Sequence, residues 1–306
     1  MKCKINMIDI TGIRLKNPTI LAAGIMGTTG ASLIRVANKG AGAVVTKSVG
    51  PEPKEGHKNP SMIDLGYGFL NAMGLPNPSY PDFKSELAIA KNQTDTPVIA
   101  SIFGSTEEEF VDVAMGLADS KPDAFELNVS CPHALGYGAS VGTNPDAVES
   151  ITKTVRDAVD VPVWVKLTPN VTDIVTIGEA AQRGGADAVV AINTVKGMAI
   201  DINSGYPILG NRFGGLSGRA VKPVALKCVY DLYTALDISI IGVGGVYTWE
   251  DAIEMMMAGA SAVQIGSAVY EGLEVFSSIS TGIEKFISEK EYSDITDIIG
   301  IAHERI

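Results

Sequence analysis

With 306 residues, 46% of them apolar, the chain can bury a large core, and length alone permits two ordinary domains or one α/β barrel. A formal net charge of −11, with no Lys/Arg run longer than two residues, argues against a nucleic-acid partner. The three cysteines, Cys3, Cys131 and Cys228, stand singly and form neither a disulfide framework nor a thiolate metal cluster.

Met1 opens no export signal, and the long charge-free stretch 17–34 carries Gly24, Gly27, Gly30, Thr28, Thr29 and Ser32, too polar for a helix in lipid. The expectation is a cytoplasmic protein. Thirty-three glycines and only 6% aromatics suit short strands alternating with helices.

From residue 19 onward, short β-branched runs alternate with longer segments of helical period. The runs at 19–23, 41–46, 97–102, 124–128, 161–167, 186–193, 239–243 and 261–265 are predicted strands. Helix starts are marked by Thr106 with Glu109, Asn144 before Pro145, and Thr248 with Asp251. Lys39-Gly-Ala-Gly42, Arg183-Gly-Gly-Ala186 and Met257-Ala-Gly-Ala260 each close a helix with glycine and lead into a strand. A doubly wound open sheet uses the same units. Eight βα units in about 250 residues are nevertheless the usual content of a (β/α)8 TIM barrel. The fold expected is therefore α/β, a single barrel domain over 1–306, with long loops 47–78 and 194–218 over the C-terminal face.

Polar residues cluster at the predicted strand ends: Lys47 and Ser48, Asn128 through Cys131, Lys166, then Asn193 and Thr194. In a closed barrel these ends share one mouth, which suits a planar, anionic, hydrogen-bonding ligand. Acidic residues are nearly absent there, apart from Asp201 in the sixth loop, so no divalent metal site is expected. Gly242-Val-Gly-Gly245 and Gly266-Ser267 follow strands seven and eight, where barrels commonly seat a phosphate. Tyr247 stands where a dinucleotide fingerprint needs its third glycine, so that reading fails. Cys131 precedes a proline in a loop with Gly136, Gly138 and Gly142, while Cys3 and Cys228 read as buried apolar residues. A Cys131/His133 protease pair is disfavoured because two neighbours in an extended turn point apart.

Taken together, Lys47-Ser48, Asn71-Ala-Met-Gly-Leu75, Asn128-Val-Ser-Cys-Pro132, Lys166-Leu-Thr-Pro-Asn-Val171, Asn193-Thr194, Gly214-Gly-Leu-Ser-Gly218, Gly244-Gly245 and Gly266-Ser267 resemble class 1 dihydroorotate dehydrogenases along nearly the whole chain. The closest likeness is to the B-type, NAD-linked FMN catalytic subunit. The resemblance implies that (S)-dihydroorotate is oxidised to orotate in UMP biosynthesis, Cys131 removing the C5 proton and FMN accepting hydride from C6. It further implies that Lys47, Asn71, Ala72, Met73, Gly74, Leu75, Asn128, Asn193 and Thr194 hold the substrate. Ala23, Gly24, Lys47, Ser48, Ser101, Asn128, Lys166, Ile192, Gly218, Gly244, Gly245, Gly266 and Ser267 would contact one FMN per chain. FAD and a 2Fe–2S cluster would sit only on a partner subunit, in a heterotetramer built on a homodimer. Two positions depart from the family pattern: His133, where Asn is common, and Ser101, where an Asn touches flavin. Three alternatives carry distinct expectations: a dihydropyrimidine dehydrogenase-like enzyme whose substrate lacks the 6-carboxylate, a lyase using Lys47 or Lys166 as a Schiff-base amine, and a non-catalytic flavin-binding subunit.

Overall fold

Every residue of the strands at 98–102, 163–167, 188–191 and 262–265 is buried, as parallel strands covered on both faces require. The computed structural model describes residues 7–129 and 141–304. Its eight parallel strands, β1 (Thr19–Leu21), β2 (Ala43–Val45), β3 (Val98–Ile102), β4 (Ala124–Asn128), β5 (Val163–Leu167), β6 (Ala188–Ala191), β7 (Ser239–Val243) and β8 (Ala262–Ile265), pair in chain order. The ring closes where β8 meets β1, Gln264 opposite Ile20. No strand is left at an edge of this ring, which excludes the open doubly wound sheet.

A helix follows each strand: α1 (Gly30–Asn38), α2 (Tyr80–Gln93), α3 (Glu107–Ala118), α4 (Pro145–Ala158), α5 (Ile174–Arg183), α6 (Lys222–Ala235), α7 (Trp249–Met257) and α8 (Val275–Glu289). The expected caps form: Thr106 accepts from the Glu109 N–H, Asn144 from those of Asp146 and Ala147, and Thr248 from that of Asp251. Helix α4 buries Val148, Ile151, Thr152 and Val155, one stripe of period 3.6 against the strands.

Two features were not expected from the sequence. A hairpin of Ile8–Ile10 and Ile13–Leu15 buries alternate residues where the barrel strands begin, and Thr11 accepts a 3.0 Å hydrogen bond from the Trp164 indole. The two long loops are not irregular. Val195–Gly197, Gly214–Ser217, Phe69–Asn71 and Met62–Asp64 pair, in that order, as an antiparallel sheet over the mouth. Each contributes only three or four residues, too few to display a period of two, and each partner lies far away in sequence.

Candidate active site

The strand ends and the sheet above them enclose a cavity of about 310 Å³. From just beyond β1 it takes Ala23 and Gly24, from just beyond β2 Lys47 and Ser48, from β4 Asn128, and from β5 Lys166. Ile192, Asn193 and Thr194 enter just beyond β6. Residues Asn71, Ala72, Met73, Gly74 and Leu75 descend from the covering sheet. Gly218 comes from the end of the sixth loop, Gly244 and Gly245 follow β7, and Gly266 and Ser267 follow β8. Lys47 and Lys166, with strands β3 and β4 between them in the sequence, thus face one space.

Ser101 does not line this cavity. It is fully buried in β3, and its hydroxyl lies 2.8 Å from that of Ser48, so it meets the site through Ser48. Cys131, with Ser130, Pro132, His133, Gly136 and Gly138, lies outside the described residues. So does Cys3. Cys228 is partly buried on α6, away from the mouth, and burial pushes its thiol up to about 11.

Three polar networks fix the walls. In the first, Asn128 donates to Ser48 at 3.2 Å, Asn193 lies 3.5 Å from Asn128 Oδ1, and the Thr194 N–H donates to Asn193 at 2.7 Å. In the second, the Lys166 ammonium donates to Gln264 Oε1 at 2.8 Å, and the Gln264 amide donates to Glu126. The third joins two loops: Asn170 donates to the Thr194 carbonyl at 3.0 Å and accepts from the Lys196 N–H at 2.8 Å.

The turn after β7 is glycine. Gly244 and Gly245 adopt φ of +134° and +73°, and a Cβ on Gly245 would lie 2.6 Å from the Lys222 Cβ. Only glycine brings the main chain through this turn. Behind it, Lys222 pairs with Asp251 at 2.7 Å, while Asp251 also accepts from the Tyr247 and Thr248 N–H groups. Burial alone would raise the Asp251 carboxyl, but Lys222 and these two N–H groups outweigh it and hold the group below the usual range. Ser267 donates to Ser217 at 2.8 Å, tying the turn after β8 to the covering sheet.

Sequence reasoning missed Glu126 and Gln264, the buried partners of Lys166. A signal was available for the first, because Glu126 precedes the mouth-facing Asn128 by two residues and so shares its side of β4. It also missed Tyr247, Tyr270 and Phe213 on the cavity wall, since lone aromatics in loops carry no period.

Ammonium and amide groups facing a glycine turn, at the C-terminal mouth of a closed (β/α)8 barrel, define a barrel enzyme of the kind that binds an anionic small molecule beside a phosphate-bearing cofactor. Residues 6–287 match the family model described as dihydroorotate dehydrogenase, and the chain belongs to that family. It is similar to proteins named "Dihydroorotate dehydrogenase B (NAD(+)), catalytic subunit". The one from Methanosarcina mazei is 70% identical over 301 residues, covering 98% of this chain and 96% of the relative. That from Pyrococcus abyssi is 53% identical, covering 96% and 98%, and that from Methanocaldococcus jannaschii is 52% identical, covering 97% of each. Among the described residues, no helix is long and apolar enough to cross a membrane, and no group of three or more His, Cys, Asp or Glu could hold a metal ion.

Proposed function

We propose that this chain oxidises (S)-dihydroorotate to orotate in pyrimidine biosynthesis, acting as one FMN-binding barrel domain over residues 1–306. The observation that carries the reading is the convergence of Lys47, Asn128, Asn193 and Lys166 on one cavity that the Gly244–Gly245 turn also lines. A volume of about 310 Å³ is in the range of small-molecule sites, about 300–1,000 Å³. The residues fit FMN. The side-chain-free turns at Gly244, Gly245 and Gly266, together with Gly218 and the Ser267 hydroxyl, suit a ribityl phosphate, and Lys166 suits the electron-rich edge of the ring. Ala23, Gly24, Ser48 and Ile192 would flank the ring, with Ser101 bracing Ser48.

Bound FMN supplies the two-electron acceptor for hydride leaving C6. Lys47 offers its charge to the substrate carboxylate, and Asn71, Asn128, Asn193 and Thr194 offer amide and hydroxyl groups to the pyrimidine, with residues 72–75 closing over it. Cys131 removes the proton from C5, which is acidified by the neighbouring carbonyl. Its position in the sequence supports the role: Asn128, three residues before it, lines the cavity. Thr143, beyond the other end of the segment, lines the cavity too. An ordinary thiol has a pKa of about 8.5, so the rate should rise with pH toward that range.

The relatives are named as catalytic subunits of NAD(+) enzymes, which supports a partner subunit; by the family resemblance it would carry FAD and a 2Fe–2S cluster and assemble with a homodimer of this chain as a heterotetramer. Three cysteines in the whole sequence cannot supply the four thiolates such a cluster takes. An anaerobic spectrum tests the core of the reading. Dihydroorotate should bleach the bound flavin, and Cys131→Ala should slow bleaching by orders of magnitude while FMN stays bound. Equal bleaching by a dihydropyrimidine without the carboxylate would overturn the substrate, and rapid NAD reduction by the chain alone would overturn the partner.

A further inference from the structure

Glu126 is an expensive residue to keep. It is fully buried inside the barrel, and among the described residues its Oε1 has no hydrogen-bond donor. A carboxylate so placed costs stability unless paired, and an apolar side chain would be cheaper. Its surroundings explain its presence. Oε1 lies 3.6 Å from the Lys166 ammonium, and Oε2 accepts from the Gln264 amide, whose own oxygen accepts from Lys166 at 2.8 Å. Strands β4 and β8, which carry Glu126 and Gln264, stand opposite each other in the ring, so both side chains reach across the interior. Lys166 and Gln264 open onto the cavity, whereas Glu126 stands behind them.

We propose that Glu126 and Gln264 are positioning residues which hold the Lys166 ammonium at the cavity wall and set how much of its charge reaches the bound flavin. The inference rests on the reading of the cavity as a flavin site. Reduced flavin gains negative charge, so an ammonium at the wall favours the reduced form, and a carboxylate behind that ammonium offsets the preference. Gln264 keeps the two charges from closing onto each other, because its amide satisfies both. The pair therefore acts as a trim on the electron affinity of the site.

The test is the midpoint potential of the flavin in the purified holoenzyme, measured by anaerobic titration against reference dyes. Glu126→Gln keeps the shape and removes the opposing charge, and should move the reduced-to-oxidised ratio about tenfold toward reduced, about 30 mV for a two-electron couple. Gln264→Met removes the spacer, lets Lys166 close onto Glu126, and should move the ratio in the opposite direction. Opposed shifts are a signature that general loosening of the core would not produce. Unchanged potentials, or shifts of the same sign, in variants that still bind FMN would overturn the proposal while leaving the flavin reading intact. If one variant does not fold, the sign of the other decides. A wild-type protein that takes up no flavin would overturn the parent reading and this one with it.

Discussion

The hydroxyls of Ser48 and Ser101 lie 2.8 Å apart in the wall between β2 and β3, although fifty-three residues separate them. Ser48 borders the cavity and Ser101 does not. Ser101→Ala should therefore cost about 1 kcal/mol of stability, one buried hydrogen bond. It should change FMN affinity by less than about threefold, well under 1 kcal/mol. Denaturant unfolding and a flavin titration check this; a tenfold loss of affinity would mean that Ser101 touches the cofactor directly.

Lys166 is the only cation paired with Glu126 among the described residues, and both are buried. Lys166→Met should destabilise the protein by about 3–5 kcal/mol, because a buried carboxylate is left without its counter-charge. Adding Glu126→Gln should restore much of that loss. Urea unfolding of the single and double variants measures the coupling.

Asp251 accepts from two main-chain N–H groups and from Lys222 behind the glycine turn. Asp251→Asn should cost about 2 kcal/mol at pH 7. Its carboxyl is lowered in the folded protein, so its contribution is present above the unfolded value of about 3.9 and fades as pH falls through the folded value. The difference in stability between wild type and variant should hold from pH 7 to about 5 and shrink below about 4.

Cys228 has its thiol pushed up to about 11 by burial. At pH 8 it should resist iodoacetamide in the native protein and react once unfolded, as peptide mass spectrometry would show. Labelling of native Cys228 within minutes would contradict the burial described here.

Gly245→Ala places a methyl group where φ is +73° and the Lys222 Cβ is 2.6 Å away. Backbone strain of about 1–3 kcal/mol should follow. Retention of FMN through gel filtration should drop with it, since the turn is proposed to face the phosphate.

The barrel was legible because buried β-branched runs and side-chain caps are local signals. Val163–Leu167 is apolar apart from Lys166, and Thr106, Asn144 and Thr248 mark helices from a few residues alone. Lys47, Asn128, Lys166 and Asn193 were found because each ends or follows a strand, and ring closure converts that shared position into shared space. The alternation along β4 turns Glu126 inward with Asn128, but its pairing with Gln264, 138 residues away across the ring, is encoded by no local pattern. The covering strands were hidden for a similar reason, Asn71 finding its partner at Gly215.

That last pairing is long-range. Asn71 and Gly215 belong to loops leaving β2 and β6, so their pairing closes a long stretch of chain and carries a loop-closure entropy cost. It belongs to the small antiparallel sheet that covers the mouth. Its few short hydrogen-bonded rungs are also the ones that can come apart without disturbing the staves below. The sheet over the mouth can therefore open locally at lower cost than the barrel beneath it.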